Sequence, residues 1–268
     1  MLTSVLQGIV LGIVQGATEF FPVSSTGHLI LFPRFFGWQD PGPSFDVIVH
    51  FGTLAALLWM YRVQLIQLYR DAVTRKSRPA RIFVGQILLA CIPALLIGGI
   101  GGNWIEDHFR GSGFIAFQLA FWGIILWIVD RRAASRAALK IPRVDQVGWR
   151  RSFWIGISQA IALFPGVSRS GITMTTGLAN GLDRETAVQF SFFVSIPTIA
   201  AAGAFGVLTI LRHGMGSLSS SMLTAGLIAS FISGLFAIKF LQSYVARRPF
   251  TVFVVYRLVL AAAIMVLL

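Results

Sequence analysis

Apolar runs alternate with short polar links along the whole chain. Spanning the hydrocarbon core of a bilayer takes roughly 20 apolar helical residues. Six runs approach or exceed that length: 45–61, 82–101, 114–129, 187–211, 222–242 and 250–268. Two further stretches are apolar but interrupted. In the first, an apolar piece from Leu2 to Gln15 meets the polar break Gly16-Ala17-Thr18-Glu19-Phe20-Phe21-Pro22-Val23-Ser24-Ser25-Thr26-Gly27-His28, and a second apolar piece runs to about Phe36. In the second, residues 152–182 are broken at Pro165-Gly166-Val167-Ser168-Arg169-Ser170-Gly171-Ile172-Thr173. Pro-Gly ends a helix, and Gly171 to Leu182 can begin another. Irregular backbone at membrane depth is tolerated only where it lines a protein cavity, so both stretches are expected as re-entrant helical hairpins.

The links carry a charge pattern. Residues 62–81 hold Arg62, Arg70, Arg75, Lys76, Arg78 and Arg81 against Asp71 alone. Residues 130–151 hold Arg131, Arg132, Arg136, Lys140, Arg143, Arg150 and Arg151 against Asp130 and Asp145. Lys and Arg mark cytoplasmic loops, so these links, with Arg247 and Arg248, are expected inside. Residues 37–44, 102–113 (Glu106, Asp107, Arg110) and 212–221 (Arg212) are read as loops, the last two external, as are both ends of the chain.

The two halves of the chain match. Gly12-Ile13-Val14-Gln15 parallels Gly156-Ile157-Ser158-Gln159, and at the same spacing Phe20, Val23-Ser24 and Gly27 match Phe164, Val167-Ser168 and Gly171. With one gap, Phe45, Val49, Thr53, Ala55 and Ala56 match Phe190, Val194, Thr198, Ala200 and Ala201. Each half holds one hairpin and three spans, and an odd number of spans sets the halves in opposite orientations. The expected fold is an all-α integral membrane protein: an inverted repeat of six transmembrane helices plus two re-entrant helical hairpins. It forms a single membrane domain, with repeat 1 at about 1–130 and repeat 2 at about 150–268. In such folds two broken helices meet near the midplane.

Composition agrees. The chain is 56% hydrophobic and 12% charged, where soluble domains are about a quarter charged. The net charge of +12 does not indicate nucleic-acid binding, because the basic residues cluster in the links. The single Cys91 excludes an intramolecular disulfide and a multi-cysteine metal site. The first fifteen residues carry no Lys or Arg, so no cleavable signal peptide is expected. The chain has no Walker loop, no HExxH and no aspartate-rich prenyl-diphosphate motif.

The chemistry lies in the two breaks. An arginine at membrane depth is costly unless it faces protein, water or an anion. Arg169 with Ser168, Ser170, Thr173 and the N–H groups of a new helix is a site for a phosphate-like anion. The blander alternative is a polar kink in which Arg169 pairs with a carboxylate. In the first break, Glu19 and His28 flank Ser24, Ser25 and Thr26. The carboxylate can orient the histidine or hold a divalent cation, and the hydroxyls can supply a nucleophile or phosphate ligands; a simple helix cap by Ser24 or Ser25 is the bland reading. Facing one another, the breaks set an acid–base group opposite an oxyanion clamp, the pairing that phosphoryl transfer needs. Asp46 and His50, four apart, are read as mainly structural. Glu106, Asp107 and His108 read as a solvated loop, and Asp183 as the cap of a helix beginning near Arg184 and Glu185.

On the two motifs Gln15–His28 and Pro165–Thr173, the chain resembles the undecaprenyl-diphosphate phosphatases, the bacitracin-resistance family of bacterial inner membranes. The resemblance implies removal of the terminal phosphate of undecaprenyl diphosphate, which recycles the lipid carrier for cell-wall glycans. It implies an inner-membrane protein whose site opens to the periplasm, and dependence on a divalent cation, Mg²⁺ or Ca²⁺. The implied cation site is Glu19 with Gln15, an amide where a second carboxylate can stand. On this reading Arg169, Ser168 and Ser170 bind the diphosphate, with Gly166, Thr173, Ser24 and Thr26 completing the binding set. Ser25 attacks the terminal phosphorus with His28 as base, or His28 activates water or attacks directly. The expected partners are the lipid substrate and membrane lipids, with no nucleic acid; a homodimer is compatible. The rival class is a transporter, a polyprenyl-phosphate flippase or ion-coupled carrier, because inverted repeats with broken helices are common there.

Overall fold

A computed structural model describes residues 2–135, 144–214 and 218–267. The expected basic positions Arg136, Lys140 and Arg143, and part of the 212–221 link, lie outside the described residues. Within them the chain forms eleven α-helices and no strand: α1 Leu2–Phe20, α2 Ser25–Phe35, α3 Pro43–Met60, α4 Arg62–Tyr69, α5 Arg78–Phe109, α6 Ser112–Ser135, α7 Trp149–Ile161, α8 Arg169–Ala179, α9 Arg184–His213, α10 Ser220–Val245 and α11 Thr251–Leu267. Five of them, α3, α5, α6, α9 and α10, are long and apolar enough to cross a membrane. The run expected to span at 250–268 is the shorter apolar helix α11, of 17 residues.

Three boundaries differ from expectation for local reasons. Helix α1 does not stop at Gln15 but runs through Glu19 to Phe20. Nothing in Gly16-Ala17-Thr18-Glu19 breaks a helix, and Thr18 returns its hydroxyl to the Val14 carbonyl at 2.7 Å; the break waits for Pro22. Helix α5 continues to Phe109, so the segment expected as a loop around Glu106 and His108 is its last turns. The basic link 62–81 is not plain loop but holds α4 and one π-helical turn, Arg70–Thr74. The start of α9 is as expected: Asp183 Oδ1 accepts the Thr186 N–H at 2.7 Å.

Helix α10 packs between α1 and α3, and the approach is close because small residues line it. A Cβ added at Gly12 would collide with the Gly226 carbonyl, one at Gly16 with the Ser233 hydroxyl, and one at Gly52 with the Ser230 hydroxyl. Further along, Phe20 meets Phe192 edge-on at 5.5 Å in an aromatic core with Phe190, Phe193 and Tyr61. Asp130 on α6 accepts from Arg184 Nε at 2.6 Å and from the Phe250 N–H at 3.0 Å, tying the starts of α9 and α11 to α6.

The two breaks share one backbone device. Ser24 and Ser168 sit at φ 74° and 76°, a region that non-glycine residues rarely occupy. Each caps the helix that follows: Ser24 Oγ accepts from the Gly27 N–H and Ser168 Oγ from the Gly171 N–H. Strain of this kind persists where the surroundings hold it and gathers at functional sites.

Candidate active site

Glu19 stands in the last turn of α1, and its carboxylate is the point where four elements converge. Its Oε1 is ion-paired with Arg169 Nη2, from the first residue of α8. Its Oε2 accepts the Ser25 hydroxyl at 2.6 Å, from the first residue of α2, and the Gln15 amide Nε2 at 2.9 Å, one turn back on α1. His50 Nε2, on α3, lies 3.4 Å from the same oxygen. Glu19 is 5% exposed and Arg169 16%. Two buried polar atoms beside this cluster have no hydrogen-bond partner: Arg169 Nη1 and Gln15 Oε1. An unpaired buried donor costs about 1–3 kcal/mol, so the free edge of the guanidinium is a standing invitation to an acceptor.

The hydroxyls of the second break turn inward. Ser170 donates to the Phe21 carbonyl at 2.9 Å, joining α8 to the first break, and lies 3.3 Å from Ser168 Oγ. Thr173 bonds to the Arg169 and Ser170 carbonyls and to Ser191. Gly166 takes φ 94°, and a Cβ there would sit 2.8 Å from the Ile115 carbonyl. Ser24 is occupied with its cap, while Thr26 is exposed on the first turn of α2.

The Ser25 hydroxyl goes to Glu19 and is bonded to neither ring nitrogen of His28, both of which are engaged. Its Nδ1 faces the Ser24 carbonyl at 2.7 Å, and a carbonyl only accepts, so Nδ1 carries the hydrogen. Its Nε2 is 2.7 Å from the Tyr256 hydroxyl, and the two rings lie within 8° of parallel. The ring therefore supports the strained Ser24 backbone on one side and meets α11 on the other.

Two residues that sequence reasoning did not assign to the site stand against it. His50, read as mainly structural, lies 3.4 Å from Glu19, and its Nδ1 donates to the main-chain carbonyl of Asp46 at 2.7 Å; its signal in the sequence was the spacing of four from Asp46. Arg257 on α11 is fully buried and donates to five carbonyls: Leu119 at 2.9 Å, Pro22 at 3.2 Å, Gln118 at 3.2 Å, Gly166 at 3.0 Å and Val167 at 3.1 Å. It staples both breaks to α6, and its neutralising partners are peptide dipoles rather than a carboxylate.

Among the described residues, no three His, Cys, Asp or Glu side chains come together as a metal cluster. Gln15 faces the Glu19 carboxylate through its Nε2, and a half-turn of the amide would set its unpartnered Oε1 beside Glu19 as two oxygens for a hard cation. Mg²⁺ commonly takes only one or two protein carboxylates and fills its shell with water and phosphate.

The family model for the bacitracin resistance protein BacA matches residues 8–263. Three similar proteins carry the name undecaprenyl-diphosphatase. That of Moorella thermoacetica is 41% identical over 262 residues, covering 97% of each chain. That of Gemmatimonas aurantiaca is 43% identical over 268 residues, again covering 97% of each. That of Rubrobacter xylanophilus is 40% identical over 275 residues, covering 100% of this chain and 99% of its own.

Proposed function

Since the chain belongs to the bacitracin resistance protein BacA family, we propose that it is an undecaprenyl-diphosphatase, an enzyme that splits undecaprenyl diphosphate into undecaprenyl phosphate and inorganic phosphate. That reaction recycles the lipid carrier for peptidoglycan and other cell-wall glycans and underlies bacitracin resistance. The observation that carries the reading to these residues is the Glu19–Arg169 pair bridging the two breaks, with Arg169 Nη1 buried and unpartnered beside it.

The mechanism follows from the order of contacts. Arg169 offers its free Nη1 edge to a phosphate oxygen, and α2 and α8 both begin at residues that touch Glu19, so two positive helix ends favour an anion there. Ser25 Oγ attacks the terminal phosphorus, its proton passing to Glu19 Oε2, and the bond to the bridging oxygen breaks as undecaprenyl phosphate leaves. Water then attacks the phosphoserine phosphorus, the bond to Ser25 Oγ breaks as Glu19 returns its proton to that oxygen, and the phosphate leaves with the oxygen and protons of the water. The 2.6 Å hydrogen bond from Ser25 to Glu19 favours this route over one that starts at His28, both of whose ring nitrogens are engaged. A divalent cation, Mg²⁺ or Ca²⁺, would be held by Glu19 and Gln15. When bound it neutralises charge on the diphosphate.

The same proposal takes in the topology. The halves, about 1–130 and 150–268, are an inverted repeat with six spans and two re-entrant hairpins in one domain, and the site faces the periplasm of an inner membrane. The paired devices support it: Ser24 and Ser168 at matching φ, each capping a glycine three residues on. The basic links support the orientation.

The test is release of inorganic phosphate from undecaprenyl diphosphate by purified protein in detergent, with Arg169→Ala as the control. Detergent has no two sides, so release there is chemistry and not transport. No release, with the protein monodisperse and cation present, overturns the enzyme reading in favour of a carrier.

A further inference from the structure

Three polar groups surround a single oxygen, Glu19 Oε2. Ser25 Oγ lies at 2.6 Å, the Gln15 amide at 2.9 Å and His50 Nε2 at 3.4 Å. Arg169 takes the other carboxylate oxygen and leaves this one to them. The Gln15 amide is fully buried, its Nε2 donating to Glu19 while Oε1 has no partner. The two ends of a Gln amide are interchangeable by a half-turn. Turned, the orphaned oxygen would face Glu19, which only a cation between them would favour.

His50 is set up in the manner of a ligand. Its Nδ1 donates to the Asp46 carbonyl at 2.7 Å, which fixes the ring on α3 and, in the neutral ring, leaves the lone pair on Nε2, the nitrogen aimed at Glu19. Metal-bound histidines are held in this way by a carbonyl or carboxylate behind them. Ligands on bonds of about 2.1 Å stand about 3 Å apart around an octahedral ion, and Oε2 lies 2.9 Å from the Gln15 amide and 3.4 Å from His50 Nε2, near that spacing. His50 is 27% exposed, against 5% for Glu19, so the cluster is open on the His50 side.

We propose that His50 is a third ligand, with Glu19 and Gln15, of the divalent cation, and that its imidazole inclines this site towards a first-row transition ion such as Mn²⁺. Mg²⁺ and Ca²⁺ favour all-oxygen sets, while imidazole suits the transition ions. The inference rests on the cation dependence proposed above and deepens it.

The experiment titrates chelator-stripped, purified full-length protein with Mn²⁺, following free Mn²⁺ by electron paramagnetic resonance, with Mg²⁺ as competitor and no lipid substrate. Wild type is expected to hold Mn²⁺ at least about tenfold more tightly than Mg²⁺. His50→Gln should weaken Mn²⁺ by at least about 10–100-fold, the range already reached by losing a partner one step behind a metal ligand, while Mg²⁺ changes by less than about threefold. His50→Glu, which restores a ligand of oxygen character, should recover binding with the preference moved to Mg²⁺. Both variants are compared as monodisperse peaks on size exclusion, so misfolding is read separately. Unchanged Mn²⁺ affinity in monodisperse His50→Gln would reduce His50 to an ion-pair partner of Glu19 and overturn the proposal, as would wild type that binds no Mn²⁺. Failure of the phosphatase reading appears elsewhere, as wild type that releases no phosphate with any cation.

Discussion

Ser25 Oγ donates to Glu19 Oε2 at 2.6 Å, a contact between the first residue of one helix and the last turn of the helix before it. The break between α1 and α2 thus brings a hydroxyl and a carboxylate into proton-transfer distance, and Ser25→Ala tests what that contact does. Turnover should fall by about a thousandfold or more, as for other nucleophile removals, with the melting temperature within a few degrees of wild type. Near-normal phosphate release from Ser25→Ala would rule out attack by the serine.

Glu19 and Arg169 are each other's charge partners, so single and double changes separate stability from chemistry. Glu19→Gln leaves a buried guanidinium unpaired, and breaking one side of a buried pair costs about 3–5 kcal/mol. Arg169→Gln leaves the carboxylate in the same position. The double variant should melt above either single one, because no uncompensated charge remains, yet stay inactive. A double variant no more stable than the singles would show that the pair is not energetically coupled.

Arg257 satisfies five carbonyls with one side chain. Arg257→Lys keeps the charge but supplies three donors from one point, so at least two carbonyls lose their partner at about 1–3 kcal/mol each. The expected outcome is a clear drop in melting temperature and poor recovery of monodisperse protein, greater still for Arg257→Met. Thermal denaturation in detergent checks it. Wild-type stability in Arg257→Lys would mean that the two breaks hold their shape without the staple.

Tyr256→Phe removes the hydroxyl that meets His28 Nε2 and leaves the ring in place. Loss of one such bond costs about 1 kcal/mol. Phosphate release should stay within about threefold of wild type, since His28 keeps its bond to the Ser24 carbonyl. His28→Ala, which frees the strained Ser24, should cost far more. Equal, large losses from both would assign His28 Nε2 and the phenol a direct part in moving the proton.

The second break was legible in the sequence to within a few residues, because Pro165-Gly166 and the capping Ser168 fall in a single short motif; the helix before it ends earlier than Pro165, at Ile161, and the next begins at Arg169 rather than Gly171. The first break was read too wide. Polar residues in an apolar run look like an interruption, yet Gly16 to Glu19 keep helical bonds, and this is why Glu19 projects from a firm helical turn. Glu19, Ser25 and Arg169, which the structure brings into contact, were singled out by their chemistry. His50 and Arg257 were not, for a common reason: their roles arise from contacts across tens to hundreds of residues. Arg257 also lies in an apolar run without any acidic neighbour to announce it, since its partners are backbone carbonyls that every sequence possesses.

The same staple has a consequence for turnover. Among the charged side chains at the two breaks, Glu19 cancels Arg169, and Arg257 remains as one surplus positive charge in a poorly polarisable interior. On the reading proposed above, that surplus adds to any divalent cation held by Glu19, and together they attract an incoming polyanion to the two breaks. A diphosphate carries more negative charge than either phosphate it is cut into. On that reading the attraction is strongest before the cut and relaxes once the fragments part, so the surplus charge would favour capture of the uncut lipid and let both products go.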